Sequence, residues 1–152
     1  MRLVRYGRPG ASDAEIAAAF AELGLTDWVE QLPAGLLTPV GERGGRLSAG
    51  ERQLVALVRA WVADPDLLVL DEATSAVDPA LEVRLRRAIE RLTSGRTSIT
   101  VAHRLSTAEA ADEVLVFARG RLVERGRHDD LLAQGGVYAA MHADWAAGTA
   151  AP

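Results

Sequence analysis

The stretch from Ser48 to Glu72 constrains the fold more than any other part of this chain. Leu54, Leu57, Val58, Trp61 and Val62 recur at i, i+3, i+4, i+7 and i+8, which predicts an amphipathic helix over Ser48 to Ala63 ended by Pro65. Leu67 to Leu70 follows as a short continuous apolar run between turn signals, the pattern of a strand buried on both faces of a parallel sheet. That run ends in Asp71-Glu72, and ligands of open α/β sheets bind beyond the C-terminal ends of the strands.

The rest of the chain alternates in the same way. Ser12-Asp13-Ala14-Glu15 reads as a capping box for a helix with Ile16, Ala19, Phe20 and Leu23 on one face and Gly24 as its stop. Residues 25 to 46 are expected to be irregular because Pro33, Gly35, Pro39, Gly41, Gly44 and Gly45 interrupt them, with one helical turn around Trp28, Val29 and Leu32. Asp78 can cap a helix that starts at Pro79, turns Leu81, Leu85, Ala88, Ile89 and Leu92 inward, and closes at Gly95. Thr97 to Ala102 and Glu113 to Ala118 read as strands, separated by a short helix with a second capping box at Ser106 to Glu109. Gly120-Arg121 reads as a hairpin-like turn into Leu122 to Glu124, residues 128 to 134 and 136 to 147 as helices, and 148 to 152 as a frayed tail. Alternating strands and helices predict an α/β layer structure with a mostly parallel sheet.

At 152 residues with 49% hydrophobic side chains, the chain has the length of one domain and enough apolar surface for an ordinary core. A net charge of -4 argues against a general nucleic-acid binder, since phosphate neutralisation requires a basic surface. Arg84, Arg86, Arg87 and Arg91 are accordingly expected on a solvated helix face. Arg59, Asp64 and Asp66 interrupt the most apolar stretch, Leu54 to Leu70, before it reaches membrane-spanning length. Without a signal-peptide core at the N-terminus and without cysteine, a cytoplasmic, reducing location is the expectation.

Three places carry chemistry. In phosphate chemistry Asp71 can hold Mg²⁺ and Glu72 can orient or deprotonate the attacking water, although a strand can also end in acids that merely cap the next turn. Ser48-Ala49-Gly50-Glu51 is a capping box, and a helix N-terminus with its free N–H groups also receives phosphate. His103 is placed at the C-terminal end of a β-branched strand, near Asp71-Glu72 if the two strands are neighbours, where an imidazole can contact a γ-phosphate or a water. His128 and His142 have no such context and are expected to be surface or helix residues. All 17 basic residues are Arg, so the 152 residues contain no G-x-x-x-x-G-K-[ST] phosphate loop.

Taken together, these residues resemble an ATP-binding cassette (ABC) ATPase domain of the exporter type, in its C-terminal part, from about Val4 to Met141. Arg5-Tyr6-Gly7-Arg8-Pro9 is similar to the stretch after the Q-loop and Val40-Gly41-Glu42-Arg43-Gly44 to the exporter x-loop. Ser48, Ala49 and Gly50 resemble the signature, Asp71 and Glu72 the Walker B acids, Ser75 to Asp78 the D-loop, and His103 the switch histidine. The sequence departs from the pattern at Ala49, where a second glycine is usual, and at Glu51, where glutamine is usual; the adenine-stacking aromatic, Walker A and the Q-loop glutamine have no counterpart.

The resemblance implies an incomplete P-loop NTPase core, residues 64–147, behind a helical signature subdomain, residues 1–63, with a tail at 148–152 and with apolar strand faces left uncovered. It implies ATP and Mg²⁺ as cofactors, with Asp71 supporting the metal, Glu72 as general base and His103 sensing the γ-phosphate. Signature residues Ser48, Ala49, Gly50 and Glu51, with Asp78 of the D-loop, are then expected to meet ATP held by a second ABC ATPase domain in a homo- or heterodimer, while Glu42 faces the transmembrane domain of an exporter. No nucleic-acid partner is implied, and the location becomes peripheral at the inner face of the plasma membrane. Two other functions fit parts of the pattern: a non-enzymatic partner presenting its signature to a complete cassette, and an ABC-type ATPase of chromosome maintenance or DNA repair, whose signatures often end in Gly-Glu.

Overall fold

The computed structural model describes residues 3–41, 44–71 and 78–149. The chain divides into two compact units, residues 1–70 with 74–99 and residues 71–73 with 100–152.

The first unit is organised by helices. Helix α1 (Asp13–Glu22) starts at the expected capping box, in which Ser12 and Glu15 satisfy each other's backbone N–H, and α2 (Thr26–Glu30) follows at once. Helix α3 (Ala49–Ala63) turns Leu54, Val58 and Val62 into the core together with Val55 and Gly50, which the periodic reading did not include. Leu57 and Trp61 lie at the core's edge. Helix α4 (Pro79–Thr93) contributes Leu85, Ala88 and Leu92, while α1 adds Ile16, Ala19 and Phe20; the Phe20 and Trp28 rings stand 6.1 Å apart. A 3₁₀ turn, Val4–Tyr6, packs against α3 through the fully buried Val4.

The end of α1 shows why Gly24 is a glycine. Its φ of 71° places it in the left-handed region, and Gly24 N–H and Leu25 N–H donate back to the carbonyls of Ala21 and Phe20 at 2.9 and 2.8 Å. These paired bonds close the helix and carry Leu25 into the core. The Arg91 guanidinium of α4 occupies the space where a Cβ on residue 24 would stand, and donates to the Glu22 carbonyl at 3.1 Å. Arg91 therefore leaves the role of a merely solvated charge. At the far end of α3, Asp64 takes a left-handed conformation and pairs with Arg96 at 2.9 Å, while the same guanidinium lies 4.5 Å over the Trp61 ring.

Strands β1 (Leu67–Asp71) and β2 (Thr97–Val101), linked through α4, form a short parallel sheet. Only Leu68 of β1 is buried; Leu67 and Val69 are 47% and 67% exposed. The expected burial on both faces is thus corrected. Successive side chains of a strand point to opposite faces, and among the described residues only one face of β1 has a layer packed on it. All five residues of β2 are exposed, including Ile99 and Val101, in keeping with the expectation of uncovered apolar strand faces.

The second unit holds α5 (Leu105–Glu109), β3 (Val114–Ala118), β4 (Arg121–Gly126), α6 (His128–Gln134) and α7 (Val137–Thr149). Strands β3 and β4 form an antiparallel hairpin with Ala118 opposite Arg121. Its two turn residues are Arg119 and Gly120, one position earlier than expected, and both have positive φ, 51° and 75°. That is the mirror-image turn whose twist matches paired strands. The second expected capping box is also corrected: α5 begins at Leu105, so Ser106 lies inside the helix and Arg104 is its uncapped N-cap. Ala108, Val116, Leu131 and Tyr138 make a small core. Glu124 of β4 accepts the N–H groups of Val137 and Tyr138 at 2.5 and 2.8 Å, fastening the start of α7.

Replacing the fully buried Leu54 by Ala should cost about 2–5 kcal/mol in urea unfolding followed by circular dichroism. Val69→Ala should stay within about 0.5 kcal/mol of the parent. A large loss at Val69 would mean that the outer face of β1 is packed.

Candidate functional site

The N-terminus of α3 is built by its own side chains. Ser48 has extended backbone, φ -61° and ψ 167°; its Oγ accepts from the Glu51 N–H at 3.2 Å, and Glu51 Oε2 accepts from the Ser48 N–H at 2.8 Å. The reciprocal capping box read from the sequence is therefore formed. Trp28 adds to it by donating its indole N–H to Glu51 Oε1 at 3.4 Å, and Arg52 donates to the Leu47 carbonyl at 2.7 Å. Trp28 was legible only as part of a short turn, although a buried indole usually finds an acceptor. The bond from the Ser48 N–H holds the Glu51 carboxyl below the ordinary carboxylate value, against the opposing effect of partial burial and with help from the Ser48 and Trp28 side chains.

Capping and phosphate reception are compatible here. The box uses the N–H groups of Ser48 and Glu51, and Ala49 and Gly50 stand in the first turn at the positive end of the helix dipole. Ser48 and Ala49 are exposed and Gly50 is buried.

A second group of residues gathers where β1 and β2 end. Asp71 is the last residue of β1, and His103 follows β2 by two positions. His103 Nε2 lies 3.4 Å from Asp71 Oδ1, with the side chains 57% and 76% exposed. Pairing of the two strands thus brings together residues that are 32 apart in sequence, as expected if the strands are neighbours. In water such an exposed pair contributes little to stability. Its importance is positional, because an accessible carboxylate at a strand end suits Mg²⁺, which takes one or two carboxylates and completes its shell with phosphate oxygens and water.

Asp78 caps α4 by accepting the Ala80 N–H at 2.7 Å. Glu72 and Ser75 to Val77, with Glu42 and Arg43 of the x-loop-like stretch, lie outside the described residues. Sequence reasoning left His128 and His142 as surface or helix residues and Glu109 as part of a capping box, yet one ligand atom of each converges within 4.8 Å of the others in the second unit. They lie on three separate helices, so no local pattern could reveal them.

The Glu51 value gives a pH dependence with a definite sign. A carboxyl depressed on folding contributes stability above pH 4.5, its ordinary value, and loses that contribution as pH falls through the folded value. Glu51→Gln should flatten the acid limb of the stability curve below that point, whereas Ser48→Ala should cost about 1 kcal/mol at neutral pH. Both are read by urea unfolding across pH; an unchanged acid limb in Glu51→Gln would assign it to other carboxylates.

Comparison with known proteins identifies the family. The family described as ABC transporter matches residues 3–75. The chain is 46% identical over 141 residues to the uncharacterized ABC transporter ATP-binding protein YknV of Bacillus subtilis, covering 93% of this chain and 23% of that protein. It is 49% identical over 139 residues to the ATP-dependent lipid A-core flippase of Chromobacterium violaceum, covering 91% of this chain and 24% of the flippase. The solved structure of a bacterial Atm1-family ABC exporter with ATP bound superposes with a TM-score of 0.80 at 44% identity, over 99% of this chain and 26% of that one. The chain thus spans about a quarter of the length of the curated relatives it matches. It belongs to the ABC transporter family, as part of an exporter-type nucleotide-binding domain.

Proposed function

We propose that the chain acts within an ABC exporter as a nucleotide-binding element whose two groups of site residues serve different ATP molecules. Ser48, Ala49, Gly50 and Glu51 face ATP held by a second ATPase domain. Asp71, Glu72 and His103 serve ATP on their own side, as metal support, general base and γ-phosphate contact, with Asp78 as the last residue of the D-loop. ATP and Mg²⁺ would supply the phosphoryl group and the charge neutralisation for its transfer.

The observation that carries this reading is the N-terminus of α3, where a formed capping box holds the exposed Ser48 and Ala49 at the helix start. The pairing of His103 with Asp71 at adjacent strand ends supports the second group. Glu42, by resemblance to the x-loop, faces the exporter's transmembrane domain, which places the element at the cytoplasmic face of a membrane. No helix among the described residues is long and apolar enough to cross that membrane itself.

The 152 residues supply no lysine and no phosphate loop. As a separate polypeptide they should show no ATP hydrolysis above background in a phosphate-release assay, with Glu72→Gln changing nothing. Turnover that disappears in Glu72→Gln would overturn this, because it would require another phosphate cradle.

A second reading, a non-enzymatic partner that lends its signature helix to a complete cassette, rests on Ser48 and Gly50 being present in 152 residues that hold no phosphate loop. Sedimentation with a complete exporter-type cassette should show association with ATP and none without it, lost in Ser48→Arg. Equal association in both nucleotide states would remove this reading.

A further inference from the structure

The second unit carries a side-chain cluster that the nucleotide chemistry does not use. Glu109 ends α5, His128 begins α6 and His142 lies in α7, so three separate helices each contribute one group. One ligand atom from each residue lies within 4.8 Å of the others. His142 Nε2 stands 3.3 Å from Glu109 Oε1, and the His128 and His142 rings are 5.3 Å apart between centroids.

We propose that Glu109, His128 and His142 form a binding site for a divalent transition-metal ion of the Zn²⁺ class.

The donor chemistry fits that class. Two imidazoles and one carboxylate are the three-protein-ligand set of open zinc sites, in which water takes the fourth place. Two metal–ligand bonds of about 2.0–2.1 Å at the tetrahedral angle separate their ligand atoms by about 3.3 Å. The His142–Glu109 separation already has that value, so a cation can lie between them without spreading the pair. The remaining separations, up to 4.8 Å, close through side-chain rotation. Imidazole nitrogen favours Zn²⁺ and its neighbours over Mg²⁺ or Ca²⁺, which take oxygen ligands.

The surroundings supply the outer support that metal-binding histidines use. Tyr138 Oη lies 2.8 Å from His128 Nδ1 and its ring meets the imidazole edge-on. With Nδ1–H donated to that oxygen, the lone pair of His128 is on Nε2, and the bond fixes tautomer and ring orientation together. Tyr138 is almost fully buried in the unit's small core, which keeps this support rigid. His142 and Glu109 are 22% and 42% exposed at the side chain, leaving an entry path for an ion. A single divalent ion satisfies all three groups and ties α5, α6 and α7 together.

The test uses the full 152-residue chain without an affinity tag, stripped with chelator. Calorimetric titration with Zn²⁺ should show saturable binding of one ion per chain, and Co²⁺ should give the visible bands of a four-coordinate site that Zn²⁺ then bleaches. Saturating Zn²⁺ should raise the melting midpoint by about 5 °C. His142→Ala and Glu109→Gln should each weaken Zn²⁺ binding by about tenfold or more, while His103→Ala should bind like the parent. Glu109→Gln retains a hydrogen-bonding group opposite His142 and so separates loss of a ligand from loss of the fold. Absence of saturable binding in the parent, or undiminished binding in Glu109→Gln, overturns the site.

Discussion

Burial of one face of α3 is the interaction on which the rest of the first unit depends. Leu54, Val58 and Val62 offer three successive turns of apolar surface, and α1, α4 and the Val4–Tyr6 turn all pack on that helix. Because α3 is fixed along its length, its first turn is fixed too, and the capping box sits at a defined place on the surface. Trp28 strengthens the link, since its ring belongs to the core while its N–H reaches Glu51. Packing energy from the buried face thus positions the polar chemistry at the helix end.

The two groups of site residues are held by different physics. Ser48 to Glu51 are set by local hydrogen bonds within one helical turn, which form wherever that helix forms. Asp71 and His103 are set by strand pairing, a nonlocal contact, and both remain largely exposed. The exposed Val69, Ile99 and Val101 show how far strands β1 and β2 are from the doubly covered arrangement usual for parallel sheets.

Local patterns were legible in the sequence where the physics is local. Ser12-x-x-Glu15 and Ser48-x-x-Glu51 both formed the boxes expected of them, and Pro79 opened its helix behind Asp78. The same four-residue pattern misled at Ser106 to Glu109, because the helix starts one residue before Ser106 and turns the serine into an interior position. Leu67 to Leu70 misled differently. A continuous apolar run says that a strand can be buried on both faces, whereas the neighbours decide whether it is.

The sequence by itself determined the order of strands and helices, the boundaries of the helices capped at Ser12, Ser48 and Asp78, and the resemblance to a family, since each rests on residues close together in the chain. Tertiary structure decided everything that needs distant residues to meet. Arg91 of α4 closes the end of α1 over Gly24, Trp28 reaches Glu51, and His103 reaches Asp71. Glu109, His128 and His142 converge only because α5, α6 and α7 pack around one small core. The reason is the same in each case: capping and periodicity act within a few residues, whereas side chains far apart in sequence are brought together only by the burial of apolar faces.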